Sequence, residues 1–299
     1  MNRSVLDDIR EMSASMSAAK RAVGDFILAN WRYSAFLNAA ELAAAAHVSE
    51  SVVVRFAKEL GLRGYPELQD AIRTLVMEDM GILGLYQGTT EDRTTSIDRR
   101  IQHSMDSDAA NLTKTIQGID AEDAEAAARL LNAARQVAVI GSRTSRGPAS
   151  IATIYLNAVL ANTRHFENTN SDVFDQLRVL DERDVVLAFI LRHYNRDTVA
   201  QVKFARERGA KVIVVTDSFE SPLVRYADYV FYAQVGGPSF YLSHVSMVAV
   251  VNVLLLLVAT LGDADRQAAN LADLEQIYDS FYYSTPVRKR ANNSEKPVS

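Results

Sequence analysis

The sequence predicts an α/β protein in two parts, an all-helical domain followed by a mostly parallel five-stranded sheet with helices on both faces. Three observations predict it. Between Ser17 and Met80 apolar residues recur at spacings of three and four, with no strand-like alternation. From Gln136 onward short continuous apolar runs alternate with helical stretches, the pattern of parallel strands buried on both sides. The length of 299 residues accommodates about two domains at ~150 residues each.

The elements follow in order. Ala19, Val23, Phe26 and Ile27 mark one helical stripe, Leu42, Ala43 and Ala46 a second, and Val53, Phe56, Ala57 and Leu60 a third. Leu68, Ile72, Leu75 and Val76 follow Pro66. Gly81 to Ser96, with three glycines and the polar run Gly88–Arg93, reads as a linker, and a connecting helix runs from about Ile97 to Ile119. Strands are expected at 137–140, 163–166, 184–190, 211–216 and 229–232. Helices are expected at 148–161, 172–180, 198–208 and 221–227. The domain boundaries that result are 1–80 for the helical head, 81–124 for the linker and connecting helix, and 125–265 for the α/β domain. Residues 266–299 are left for a C-terminal helix and a basic, disordered tail.

Composition removes several classes. The chain is 48% hydrophobic and 23% charged, which excludes a disordered or collagen-like polymer. Zero cysteines exclude a disulfide scaffold, thiolate zinc sites, iron–sulfur clusters and a cysteine nucleophile. No metal site and no cofactor are read from the sequence. MNRSVLDDIR lacks an apolar signal-peptide core, so a cytoplasmic location is expected. The apolar run Val245–Leu261 is interrupted by Ser246, Asn252 and Thr260 and is shorter than the ~20 residues a span needs. It is expected as a helix buried in a core or subunit interface, with no membrane partner. A net charge of −5 argues against coating nucleic acid by bulk electrostatics, but leaves room for a local DNA-reading helix.

The stretch Asn38–Leu60 has helix-turn-helix spacing. Asn38 and Glu41 stand at capping-box distance, His47-Val48 forms the turn, Ser49 caps the second helix, and Gly61 follows its end. With Val53, Phe56, Ala57 and Leu60 facing inward, Ser51, Val52, Arg55, Lys58 and Glu59 face out. A helix presenting these residues to the major groove reads bases through Arg and Ser and a thymine methyl through Val. Ser49, Ser51, Val52, Arg55, Lys58 and Arg63 form the DNA-binding set. The pattern alone fits a plain helical hairpin equally well. Nine basic against eleven acidic residues over 1–80 give a local charge of −2, so affinity must come from a concentrated face and from dimerisation.

The order and spacing of AAELAAAAHVSESVVVRFAKELGLRGYPEL resemble the N-terminal domain of the RpiR/MurR family of bacterial transcription regulators. The features shared are the ELA helix, the V-S turn, the RF pair and the LG…GYPEL exit, over roughly residues 5–80. Two positions depart from the family: His47 stands where the turn usually has Gly, and Val52 where Thr is frequent. The resemblance implies an operator-binding regulator; a homodimer or tetramer is expected because one short helix in a groove gives little affinity and the apolar helix 245–261 offers surface to bury between subunits.

In the second half, Ile140-Gly141-Ser142-Arg143-Thr144-Ser145-Arg146 joins a strand to a helix, with Pro148 near the first turn. Backbone N–H groups and the positive end of a helix dipole in such a loop suit an anion, although many loops of this kind are simple caps. Leu191–Thr198 follows the next strong strand and shares its crevice. Arg143, Arg146, Arg192, His193 and Arg196 fall in these two loops.

This half resembles a sugar isomerase (SIS) domain over residues 125–265, through the hydroxyl loop and the block ARERGAKVIVVTDSFESPLVRYADYVFY. The resemblance implies that the first loop and a later Ser-Gly-Glu-Thr loop hold a phosphosugar's phosphate. Ser142, Thr144 and Ser145 match the first, whereas Asn195-Arg196-Asp197-Thr198 keeps only Thr198 of the second. Arg143 also replaces a frequent Gly. The expected effector set is Ser142, Arg143, Thr144, Ser145, Arg192, His193, Asn195, Arg196 and Thr198. Its ligand is expected to be a phosphosugar, a carboxylate or another small anionic metabolite.

The expectation is a transcription regulator rather than an enzyme. The alternative is a SIS-domain phosphosugar isomerase with an accessory helical domain, for which His193, His244 and Glu167 are the conceivable bases. A third reading is a DNA-binding protein whose SIS domain only dimerises.

Overall fold

The computed structural model describes residues 4–91, 96–166 and 172–281. The head is formed by α1 (Val5–Met12), α2 (Ala18–Ala29), α3 (Trp31–Ser34), α4 (Ala39–Ala45), α5 (Glu50–Glu59) and the first turns of α6 (Tyr65–Glu91). Its core gathers Ile9, Val23, Ile27, Leu42, Val53, Phe56, Leu68 and Ile72, all fully buried. Asn38 accepts from the Glu41 amide at 2.8 Å and Glu41 accepts from the Asn38 amide at 2.8 Å, which is the expected capping box. His47 at φ 55° and Gly61 at φ 83° close the turn and the second helix in the left-handed region. A left-handed conformation costs a non-glycine residue ~1–2 kcal/mol. His47→Gly is therefore expected to raise the head's unfolding free energy by about 1 kcal/mol, read as an upward shift of its thermal transition.

The expected linker is the main correction. α6 continues as one 27-residue helix through Gly81, Gly84 and Gly88 to Glu91, and residues 92–95 lie outside the described residues. Glycine costs about 1 kcal/mol in a helix interior, so three of them weaken this stretch without forbidding it. Its far end is held by tertiary contact, with the Tyr86 ring edge-on to Phe240 at 5.4 Å.

α7 (Ile97–Gln117) and α8 (Ala121–Ala133) lead to a sheet of β1 (Val137–Gly141), β2 (Thr163–Phe166), β3 (Val185–Phe189), β4 (Lys211–Thr216) and β5 (Tyr229–Tyr232). The order is β2-β1-β3-β4-β5 and every pairing is parallel. Val139 registers with Leu187, and Leu187 with Ile213. Between the strands run α9 (Arg146–Leu160), α10 (Val173–Leu177) and α11 (Arg196–Glu207), and α12 (Val245–Leu261) and α13 (Ala264–Phe281) close the chain.

Alternation on the strands splits the core into two layers. Val137, Val139, Leu187, Ile213 and Val215 pack with α8, α9 and α12, while Ala138, Ile140, Val186, Ala188 and Val214 pack with α10 and α11. The helix expected at 221–227 is only a 3-10 turn, Val224–Tyr226, after Pro222. The proposed tail after Phe281 lies outside the described residues.

No single helix among the described residues is long and apolar enough to cross a membrane; α12 and the following helix would pass only together, and they are bent by 118°. α12 buries Met247, Val250, Val251, Leu254 and Val258 against the sheet but leaves Leu256 62% exposed.

Candidate functional site

On the head, α5 turns Val53, Phe56 and Ala57 into the core and leaves Ser51, Arg55 and Lys58 exposed. Two members of the expected set differ in detail. The Ser49 hydroxyl sits at the helix start but pairs with the Ser51 hydroxyl at 3.0 Å, and makes no cap bond to the backbone. Val52 is half-buried and packs at the margin of the head core, because its position on the helix borders the Val53/Phe56 stripe. Arg63 is exposed and lies 3.3 Å from Glu67, an ion pair at a site where such pairs contribute ~1 kcal/mol or less and leave the guanidinium open to exchange for a phosphate. Glu59, on the same helix, pairs with Lys20 and so links α5 to α2.

In the α/β domain both expected loops lie at the carboxyl edge of adjacent strands β1 and β3. They meet directly: the Ser142 and Thr198 hydroxyls are 2.8 Å apart although 56 residues separate them. Asn195 starts α11 and accepts from the Thr198 amide at 3.0 Å. A short 3-10 turn, Arg143–Ser145, feeds α9, so the N-termini of α9 and α11 converge on this edge of the sheet. Their dipoles place partial positive charge there. Gly141 permits the tight exit from β1, since a side chain would sit 2.8 Å from both the Ala149 Cβ and the Ser145 carbonyl.

The flanking residues carry backbone strain. Arg143 at φ 52° and His193 at φ 70° are both left-handed, a conformation that persists where the surroundings over-determine it and that clusters at ligand clamps. Thr144, Arg143, Arg196 and His193 are exposed at the crest, while Ser145 and Thr198 are buried below it.

Arg192 departs from the expectation of a free cation. Its Nε donates to Asp217 at 2.6 Å and its backbone N–H donates to the same carboxylate at 3.1 Å. Burial opposes its charge, but the Asp217 and Asp70 carboxylates outweigh that and hold its pKa above the ordinary arginine value. Sequence reasoning missed Asp217, whose signal was its place directly after β4, at the same sheet edge. It also missed His165 on β2, whose ring lies 3.4 Å from the Gly141 carbonyl and 3.5 Å from the Ser150 hydroxyl. Of the conceivable bases, His193 is an exposed loop residue, and His244 precedes α12 with its pKa lowered by burial. Glu167 lies outside the described residues. No group of three or more His, Cys, Asp or Glu among the described residues has metal-site geometry.

A capped helix pair with an outward recognition helix, joined to a parallel sheet whose crest gathers hydroxyls and helix N-termini, defines the helix-turn-helix regulators built on a sugar-isomerase-type domain. Residues 3–75 match the helix-turn-helix domain of the rpiR family and residues 130–257 match the SIS domain. The chain belongs to the RpiR family of helix-turn-helix transcriptional regulators carrying a SIS domain. It is 29% identical over 232 residues to the HTH-type transcriptional regulator HexR of Pseudomonas aeruginosa, covering 75% of this chain and 76% of that one. The sugar isomerase domain of an RpiR transcription factor from Sphaerobacter thermophilus is 32% identical, with a TM-score of 0.56 over 59% of this chain and 97% of that one. The Vibrio vulnificus NanR protein, solved in complex with ManNAc-6P, shares the fold over 94% of this chain and 100% of its own, at 18% identity and a TM-score of 0.54. As a regulator of this class, the protein has operator DNA as its partner.

Proposed function

We propose that the SIS domain senses a small anionic metabolite of the phosphosugar class, held between residues 142–145 and 192–198, and that its binding modulates operator occupancy. The observation that carries this reading is the Ser142–Thr198 contact, which brings two hydroxyl-bearing loops and two helix N-termini to one point. Arg143 and Arg196 supply the exposed charge, and the pair Arg192–Asp217 frames one side. The phosphosugar bound by the Vibrio NanR protein, which shares this fold, supports the ligand class.

The head, residues 1–80, reads DNA through Ser49, Ser51, Arg55, Lys58 and Arg63, with Val52 at the edge of the contact. Residues 81–124 connect it to the sensor at 125–265, and 266–299 form the C-terminal helix and tail. The protein acts in the cytoplasm as a binding switch and does not turn the ligand over. It works as a homo-oligomer, because two half-sites about one helical turn apart are the usual source of affinity for such heads. Exposed Ile154 and Tyr155 on α9 and Leu256 on α12 offer apolar surface for the second copy.

The test is an operator-binding titration with a panel of phosphosugars and sugar acids on the wild type and on Ser142→Ala/Ser145→Ala. The double variant is expected to keep ligand-free operator affinity and to need at least ~10-fold more effector, since one hydrogen bond to a charged group contributes ~1.5–3 kcal/mol. An equal response of both proteins to the active metabolite places the pocket elsewhere.

A further inference from the structure

Three polar side chains at the base of α6 converge on one short segment of the head. Tyr65, Gln69 and Arg73 stand one turn apart on one face of this helix. The Tyr65 hydroxyl and the Gln69 amide both donate to the Leu37 carbonyl, each at 2.6 Å, and the Arg73 Nε donates to the Ala35 carbonyl at 2.8 Å. Those carbonyls lie between α3 and α4, after one helical ladder ends and before the next begins. Buried carbonyls in that position need donors from elsewhere, and α6 supplies them. The Arg73 guanidinium also lies 5.4 Å from the centre of the Phe36 ring, so α6 meets each of residues 35, 36 and 37.

The connector leads straight into the helix-turn-helix. Leu37 precedes Asn38, whose reciprocal bonds with Glu41 start α4, and at the turn into α5 the Val48 amide donates to the Ala43 carbonyl at 2.9 Å. From the other side, Glu41 lies 3.7 Å from His103 of α7. Both α6 and α7 are anchored on the sensor. Tyr86 of α6 meets Phe240, while Thr115 of α7 accepts from the Gln234 amide at 2.9 Å and Asn111 donates to the Gly236 carbonyl. Residues 35–41 are the place where sensor-anchored elements take hold of the DNA-reading pair.

Stability alone accounts poorly for the residue types chosen. Arg73 is buried, yet one of its guanidinium nitrogens has no hydrogen-bond partner among the described residues. A hydrocarbon side chain of similar length would fill the space without that cost. What the hydrogen bonds add to apolar packing is direction. Each holds its acceptor close to a line, so together they set the rotation and slide of the connector against α6.

We propose that Gln69 and Arg73 are positioning residues of operator recognition: they fix the angle of the α4–α5 unit on α6, and with it the separation of the two recognition helices in the oligomer. This rests on the reading of the protein as a homo-oligomer, since a single head needs no fixed separation. Side chains acting in this way contribute nothing at one half-site. Their effect shows only where two half-sites are met at once.

The experiment is fluorescence anisotropy at low salt on the full-length protein with three DNA fragments. The first is an operator selected from random-sequence DNA by the wild type. The second has one half-site scrambled, and the third has one base pair inserted between the half-sites. Gln69→Leu leaves Tyr65 donating to the Leu37 carbonyl, so this variant orphans no acceptor there, whereas Gln69→Leu/Arg73→Met removes both bonds. Both variants are expected to bind the scrambled fragment as the wild type does, to lose roughly 5-fold or more on the intact operator, and to stop discriminating against the inserted base pair. The loss is expected to be larger in the double variant; a double variant no worse than Gln69→Leu removes Arg73 from the assignment. Equal losses on the intact and scrambled fragments reveal a contribution to head stability only and overturn the positioning role, as do wild-type affinities throughout. Should the double variant not fold, Gln69→Leu decides by the same criteria. A wild type that binds the intact and scrambled fragments equally overturns the oligomeric reading, and this proposal with it.

Discussion

Arg55→Ala/Lys58→Ala is expected to weaken operator binding at physiological salt by roughly 30-fold or more while leaving the helical signal and melting transition intact. Both side chains are exposed on α5, opposite the buried Val53, Phe56 and Ala57, so truncation removes no core contact. Each good base or phosphate contact is worth ~1–3 kcal/mol, so losing both costs about 2–6 kcal/mol, or roughly 30-fold and upward. The head's acidic balance amplifies the effect, because few other basic residues remain on this face to compensate. Fluorescence anisotropy with an operator fragment reads it, and the salt dependence of binding should flatten in the variant. A double variant with wild-type affinity would mean that another face of the head enters the groove.

Gly141→Ala is expected to have the second largest effect, and on both stability and ligand response. The added methyl would sit 2.8 Å from the Ala149 Cβ and 2.8 Å from the backbone oxygen of Ser145. Neither neighbour is the flexible end of a side chain, so α9 must move away from β1. Overpacking of this kind costs ~1–3 kcal/mol, and the value here is expected at the upper end. The shift also displaces Ser142 from Thr198, so the response to effector should be lost even where the fold survives. Gly147→Ala is the control: its added methyl meets no neighbouring element within 4 Å, so urea unfolding should show no loss of stability and the effector response should match the wild type.

Much of this architecture is legible in the sequence because the relevant signals are local. Val137–Ile140, Val185–Phe189 and Val212–Val215 are continuous apolar runs, which only strands covered on both faces require, and all three lie at the centre of the sheet. The capping pair Asn38/Glu41 and the left-handed Gly61 are likewise determined within a few residues of each other. The errors fall where distant contacts override local preference. Three glycines announce a linker at 81–96, but Tyr86 finds Phe240, 154 positions along the chain, and α6 persists. Arg192 reads as a free cation because its partner Asp217 belongs to the next strand's loop, 25 residues on. Val52 reads as outward because helical periodicity alone does not locate the rim of a core.

The continuity of α6 has a mechanical consequence. A helix of 27 residues is about 40 Å long at 1.5 Å per residue. Its first turns, with Leu68, Ile72 and Val76, belong to the head core and Tyr86 further along meets Phe240, so the helix passes a tilt on rather than absorbing it as a tether would. A tilt of about 5° at its base swings the far end by roughly 3.5 Å, close to the ~3.4 Å rise of one base pair. A displacement at the effector edge too small to alter the sensor's core would then suffice to move a recognition helix out of register with its half-site.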